Sequence, residues 1–324
     1  MPNLSVVADY RLEPSEGMQV VSKGIVDALR HAGHQVQVID PAQFPYRLLS
    51  VLLSRPDAVV FTHGPGVGVV LYSWVLRKLS RSRIIWVASR PSLVRIPRWL
   101  KERKTAHYVV CNRRRADLDA VARDAEFVER YIGIDPARVA PLSREDEPWP
   151  DLSATGRPVL LHVGHLKRNR GLEILAAAKR SMADKIEVVV QGSPTFAADA
   201  GVVEELESAG VRVRLTFESN LHRLYRAADL YVFPVSEASA GAIELPLGVL
   251  EAVACGTPVL TMEFGVLKQA LDGVPGVKFC SHADFLPSLR LLLEEDRLES
   301  KPEGLPKHLH ADRATETVLR LVGT

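Results

Sequence analysis

Residues 243–261 read IELPLGVLEAVACGTPVLT. Pro246 suits the first turn of a helix, Gly256 its C-terminal stop, and Val259 opens a β-branched run that reads as a strand. The segment is therefore one helix–strand step of an α/β protein, with the helix N-terminus opening at a sheet edge near Leu247 and Gly248. First-turn amides have no intrahelical acceptor and carry partial positive charge, so a diphosphate can dock there, and Gly248 lets it come close. Glu251, one turn further in, faces the same crevice in this reading; its bland alternative is an exposed helix acid.

On either side of this segment, short β-rich runs alternate with helical patterns along the whole chain, the signature of βαβ units and parallel sheets. Strands are expected at 4–8, 35–40, 58–62, 83–88, 106–111 and 126–131, then at 159–163, 187–191, 212–217, 230–234, 259–262 and 277–280. Between the first two, Val20, Val21, Ile25, Ala28 and Leu29 recur at helical spacing until Gly33 ends the helix. The pattern dissolves in SREDEPWPDLSATGR, residues 143–157, a linker of charge, two prolines and a glycine. Two Rossmann-like domains follow, 1–150 and 151–310, in keeping with a length of 324 residues. After a proline-punctuated stretch at 301–307, ADRATETVLRLV makes an amphipathic helix at about 311–322 with no sequence neighbour to pair with.

Composition narrows the classes. Apolar runs such as 48–53 are too short to cross a bilayer, and the first residues lack the basic and apolar regions of a signal peptide. The three cysteines are odd in number and show no CxxC or Cys/His ligand spacing, which fits a reduced cytoplasmic setting. Residues 1–150 carry 22 Lys/Arg against 16 Asp/Glu and residues 151–324 carry 19 against 23. From Arg77 to Arg115, 13 basic residues face the single acid Glu102. Within that run, residues 90–104 interleave Leu93, Val94, Ile96, Trp99 and Leu100 with Arg90, Arg95, Arg98, Lys101, Arg103 and Lys104. They read as a surface for anionic lipid at the inner membrane face, or equally as a solvated surface over some core residues.

Five segments together resemble a known family. LEAVACGTPV (250–259), DALRHAGHQVQVID (27–40), YIGIDPARVAP (131–141), HVGHLKRNRGLEIL (162–175) and LYRAADLYVFP (224–234) are similar, in order, to the motifs of the retaining GT-B glycosyltransferases of family 4. The resemblance implies two Rossmann-like domains facing each other across a cleft, with the C-terminal helix crossing back to the first. It implies a nucleotide-diphosphate sugar bound on the second domain, an acceptor on the first, and transfer with retention. No cofactor, metal or nucleic acid is expected; the acceptor is open, and a lipid-linked one would suit the basic segment.

By position, Glu251 looks like the carboxylate that holds the donor ribose, with Leu247 and Gly248 giving helix amides to the phosphates. The family loop GRLxxxKG is matched by Gly164 to Gly171, where Arg170 stands at the Lys position and His165 at the Arg position. Arg170 keeps the cation and adds a fork suited to phosphate, His165 is a weaker, pH-dependent partner, and Lys167 or Arg168 are further candidates. The family's first glutamate falls on Ile243, one place from Glu244. Its histidine after the fourth strand is replaced by Ser89 and Arg90, and its GG loop is represented by Gly17 alone. His63, at a strand end, is a candidate base or a residue that satisfies local hydrogen bonds.

Rival readings are weighed on the same residues. THGPGVGVV, 62–70, follows a strand, but Val69 stands where a dinucleotide fingerprint needs its third glycine, and no acid follows at the required distance. GxSxG, HExxH and Walker sequences are absent. The displaced acidic and histidine positions motivate a second class, a catalytically impaired GT-B protein that binds nucleotide sugar or a partner. An epimerase would need paired carboxylates that the sequence does not offer.

Overall fold

A computed structural model describes residues 2–14, 16–89, 96–112, 121–122, 124–139, 156–193, 196–216, 218, 220–236, 243–294 and 301–323. The chain divides into two units, one of residues 1–134, 241–245 and 308–324, the other of 135–240 and 246–307.

The first unit is built on a parallel sheet of β1 (Asn3–Val7), β2 (Gln35–Ile39), β3 (Ala58–Phe61), β4 (Arg83–Ala88), β5 (Tyr108–Cys111) and β6 (Glu126–Glu129), in the order β2-β1-β3-β4-β5-β6. The central strands β3 and β4 are apolar almost throughout because both faces are covered. Strand order steps one way from β1 to β2 and the other way thereafter. Right-handed crossovers therefore place α1 (Gly17–His31) on one face and α2 (Phe44–Ser54), α3 (Val67–Leu79) and α4 (Arg98–Lys101) on the other. One apolar cluster joins this second helix layer to the sheet through Phe44, Val51, Val70, Leu76 and Leu100. The C-terminal helix, Ala311–Gly323, packs beside α1. Its buried Ala314, Thr317, Val318, Leu321 and Val322 repeat at helical spacing. Arg83 donates to the carbonyls of Leu321 and Val322 at 3.3 and 3.0 Å, a cation placed on the negative end of the helix.

The second unit repeats the plan with β7 (Val159–Val163), β8 (Glu187–Gln191), β9 (Arg212–Arg214), β10 (Leu230–Phe233), β11 (Val259–Met262) and β12 (Val277–Cys280), in the order β12-β11-β10-β7-β8-β9. Its helices are α5 (Leu172–Ser181), α6 (Val202–Ser208), α7 (Leu221–Ala227), α8 (Leu247–Ala254), α9 (Leu267–Leu271) and α10 (Phe285–Glu294), which makes the C-terminal helix α11.

All twelve expected strands form. The fifth starts at Tyr108, and the ninth stops at Arg214 because this edge strand pairs only with Val189–Gln191 on one side. Most of the linker read at 143–157 and the boundary at 150/151 lie outside the described residues. The structure divides the two units at 134/135, and within the second the Cys255 thiol donates to the Val139 carbonyl. The division also assigns 243–245 to the first unit, where the Glu244 N–H donates to the Ser89 carbonyl at 3.1 Å. No described helix is long and apolar enough to cross a membrane.

Candidate functional site

In an open parallel sheet, ligands bind beyond the carboxyl ends of the strands where strand order reverses. In the second unit that point lies between β7 and β10, and the loop 164–171 leaves β7 there while the chain to α8 leaves β10. Gly171 sits at φ 70°, and a Cβ on it would lie 2.0 Å from the Pro234 carbonyl oxygen, so only glycine lets the loop cross the end of β10. That crossing fixes Arg170. Its Nε is shielded from water and has no hydrogen-bond partner among the described residues, and burial pulls its pKa below the ordinary arginine value. A guanidinium keeps its charge even so, and a half-buried arginine that no described acid pairs with suits an anionic ligand.

His162, in β7, lies beneath this loop. Its Nδ1 is 2.9 Å from the Val232 carbonyl, which can only accept, so Nδ1 carries the proton. Burial, helped by the nearby Arg170 charge and opposed by that hydrogen bond, pushes its pKa down to about 4. It is a neutral histidine that adds no second cation beside Arg170.

The other loop cations turn elsewhere. Lys167 Nζ is 2.9 Å from Asp199 Oδ1, while Asp199 Oδ2 accepts the Arg168 N–H at 3.0 Å. The Arg168 guanidinium donates to the Ala200 carbonyl at 2.8 Å and lies 3.8 Å from Glu205. The hydrogen bond from Lys167, then that from Arg168, holds the Asp199 carboxyl below its usual range. Of the three loop cations, Arg170, the one at the family's lysine position, is the one these acids do not hold. The His165 ring tilts against Phe196 at 4.6 Å, and the Gly164 N–H donates to the Gln191 carbonyl at 3.0 Å.

Leu247 opens α8, and Pro246 at its N-cap gives no side-chain cap, leaving the first amides for an external acceptor. Gly248 lies on two buried phenols: a Cβ there would be 2.7 Å from Tyr231 Oη and 3.2 Å from Tyr225 Oη. Tyr231 donates to the Val163 carbonyl at 3.3 Å, and Tyr225 donates to Glu251 Oε2 at 2.8 Å. Burial, followed by the Glu251 charge, raises the Tyr225 pKa well above its ordinary value, so it stays a donor. The tyrosines thus tie the end of β7, the start of α8 and Glu251 into one frame. Sequence reading missed Tyr225, Tyr231 and His162; the available signal was that buried phenols need hydrogen-bond partners.

The remaining candidates belong to the first unit, whose own order reverses between β1 and β3. Gly17 is the first residue of α1. His63 follows β3, its Nδ1 3.3 Å from Thr62 Oγ1, which lies 2.8 Å from Ser22 Oγ. Ser89, buried after β4, donates to the Met18 sulfur at 3.1 Å, and its carbonyl holds Glu244, which is 2% exposed. The structure therefore brings Ser89 and Glu244 together in one unit, and Arg170, His165, Glu251 and Gly248 in the other. Arg90 lies outside the described residues, as do 91–95. In the rest of the 90–104 segment Ile96 and Leu100 are buried in the core and Trp99 is exposed. Among the described residues no group of three or more His, Cys, Asp or Glu is placed to hold a metal ion.

Residues 157–295 match the family described as Glycosyl transferases group 1. The D-inositol 3-phosphate glycosyltransferase of Mycobacterium sp. (strain KMS) is 34% identical over 133 residues, 38% of this chain and 29% of that protein. The enzyme of the same name from Nocardia farcinica (strain IFM 10152) is 31% identical over 176 residues, 49% of this chain and 37% of that protein. The match thus spans well under half the length of these relatives. Solved structures align along the whole chain: Anabaena HepE in complex with UDP-glucose has a TM-score of 0.76 at 14% identity, covering 99% of each chain. Sucrose-phosphate synthase from Thermosynechococcus elongatus has a TM-score of 0.73 at 14% identity, covering 99% of this chain and 98% of that one.

Proposed function

We propose that this chain, which has the GT-B fold and carries a glycosyl transferases group 1 region over residues 157–295, transfers a sugar from a nucleotide-diphosphate sugar to an acceptor, with retention and without a metal ion. The observation that carries the reading is the half-buried Arg170, whose Nε has no partner among the described residues, in the loop that leaves β7 at the strand-order reversal where the chain to α8 also leaves β10. When the bond between sugar and diphosphate breaks, negative charge grows on the leaving phosphate. Arg170 and the amides of Leu247 and Gly248 meet that charge without reorganising, the kind of preorganisation that dominates many rate enhancements. Cation and helix dipole supply what a Mg²⁺ would otherwise provide. Glu251, oriented by Tyr225, accepts the ribose hydroxyls, and His165 lies in the same loop as Arg170. Ser89, Glu244 and His63 are the acceptor-side candidates. A uridine nucleotide is supported as donor base by HepE, solved with UDP-glucose, and by an Escherichia coli trehalose-6-phosphate structure bound with UDP-2-fluoro glucose.

A second reading, binding of nucleotide sugar without transfer, is favoured by the histidine at position 165 and by the burial of Glu244. Thermal shift with nucleotide sugars in excess chelator, followed by hydrolysis and transfer assays with NMR of the anomeric product, separates the two. Binding and turnover to a product of retained configuration is expected. Binding without any turnover selects the second reading, and failure of every nucleotide diphosphate to bind removes both.

A further inference from the structure

Helix α2 is apolar on two sides. Phe44, Leu48, Val51 and Leu52 face the sheet and its core. Tyr46, Leu49 and Leu53, on the opposite side at spacings of three and four, are 89%, 67% and 74% exposed. A row of large apolar side chains this exposed is unusual on a surface helix, so the outer row invites a cover that the described residues of this chain do not supply. On the same helix layer Leu79, at the end of α3, and Trp99, in α4, are also exposed, at 68% and 54%.

The charge around this layer says what the cover is. Residues 41–115 contain 15 Lys/Arg and only two Asp/Glu. Both acids are engaged: Asp57 accepts the Asn3 N–H at 2.7 Å, and Glu102 pairs with Arg98 at 3.3 Å. Arg47 on α2, Lys78 on α3 and Arg98 on α4 are exposed, and the Arg103 guanidinium lies over the rings of Trp74 and Trp99 at 4.6 and 5.6 Å. Tyr and Trp side chains among leucines, on three helices that carry Arg47, Arg77, Lys78, Arg98 and Lys101 and no Asp or Glu, form the amphipathic surface that lies in the headgroup region of an anionic bilayer. A second copy docked through the same layer would set two positively charged faces against each other.

We propose that the outer face of α2, with Leu79 and Trp99, docks this protein on an anionic lipid surface, inserting Tyr46, Leu49 and Leu53 at headgroup depth. This assignment does not depend on the proposed transfer reaction. It is tested by co-sedimentation with vesicles of phosphatidylcholine alone or mixed with phosphatidylglycerol, using the parent and the Leu49→Asp/Leu53→Asp double variant. Both substituted side chains are exposed, so folding is checked by an unchanged melting temperature and unchanged affinity for UDP, read in the absence of vesicles. The expected result is pelleting with phosphatidylglycerol vesicles, much less with phosphatidylcholine, and a partition coefficient about tenfold lower or more in the variant. Equal, negligible binding to both vesicles overturns the proposal, as does undiminished binding of the variant. A concentration-dependent dimer in sedimentation velocity that the double variant abolishes also overturns it, since a second copy would then be the cover.

Discussion

Substituting Gly248 by alanine tests the frame beneath the donor site. In an ordinary helix the change is favourable by about 1 kcal/mol. Here the new Cβ starts 2.7 Å from Tyr231 Oη and 3.2 Å from Tyr225 Oη, whereas ordinary contact begins at 3.4 Å. A gap of roughly 0.7 Å must open, and neither phenol can swing aside, because both rings are fully buried and their hydroxyls are held by Val163 and Glu251. The start of α8 gives way instead. Overpacking of this size costs about 1–3 kcal/mol, so after the helix gain a net loss of about 1 kcal/mol remains, a fall of about 2–4 °C in Tm. The larger effect falls on binding. Amides displaced by that distance lose a charge-assisted hydrogen bond to phosphate, about 1.5–3 kcal/mol, which weakens UDP binding about ten- to hundredfold by calorimetry. Adding Tyr231→Phe removes the hydroxyl and should recover most of the loss. A Gly248→Ala variant that binds UDP as tightly as the parent refutes the reasoning.

Two further outcomes follow from the same residues. Glu251→Gln weakens the ribose contact, which changes little between ground and transition state, so donor KM should rise several-fold with kcat nearly kept, and Tyr225→Phe should do the same more weakly. A kcat loss without a KM change in Glu251→Gln would assign it another role. His162 has a folded pKa of about 4 against an ordinary 6.5. Above pH 6.5 neither state binds its proton and the folded state keeps its full advantage; as pH falls toward 4 only the unfolded chain takes the proton. Stability should therefore drop by up to about 3 kcal/mol across that window. His162→Gln, which keeps a donor for Val232, should flatten this slope in thermal melts, and parallel curves would contradict it.

The strands were legible because parallel strands covered on both faces read as unbroken apolar runs, as AVVF at 58–61 shows, and α8 because Pro246 and Gly256 bracket it. The roles of the loop cations were not. Sequence set Arg170 at the family's lysine position with Lys167 and Arg168 as further candidates, but it did not show that Asp199, some thirty positions on, holds those two. Glu244 reads as part of the donor half, but it lies in the first unit, where its N–H donates to the Ser89 carbonyl. The apolar residues of α2 were plain as a run at 48–53, but a run that is apolar at every turn carries no period to tell the covered side from the exposed one.

The central claim is that Arg170, and not its basic neighbours, meets the charge that grows on the departing diphosphate. Steady-state transfer by Arg170→Ala and Lys167→Ala tests it directly. Arg170→Ala should lower kcat by about two orders of magnitude, the loss expected when one preorganised stabiliser of developing charge is removed. Lys167→Ala, which breaks a half-exposed pair with Asp199, should leave kcat within about threefold of the parent. A folded Arg170→Ala protein with kcat and donor KM equal to the parent's, or a Lys167→Ala protein that reproduces the hundredfold loss, would contradict the account.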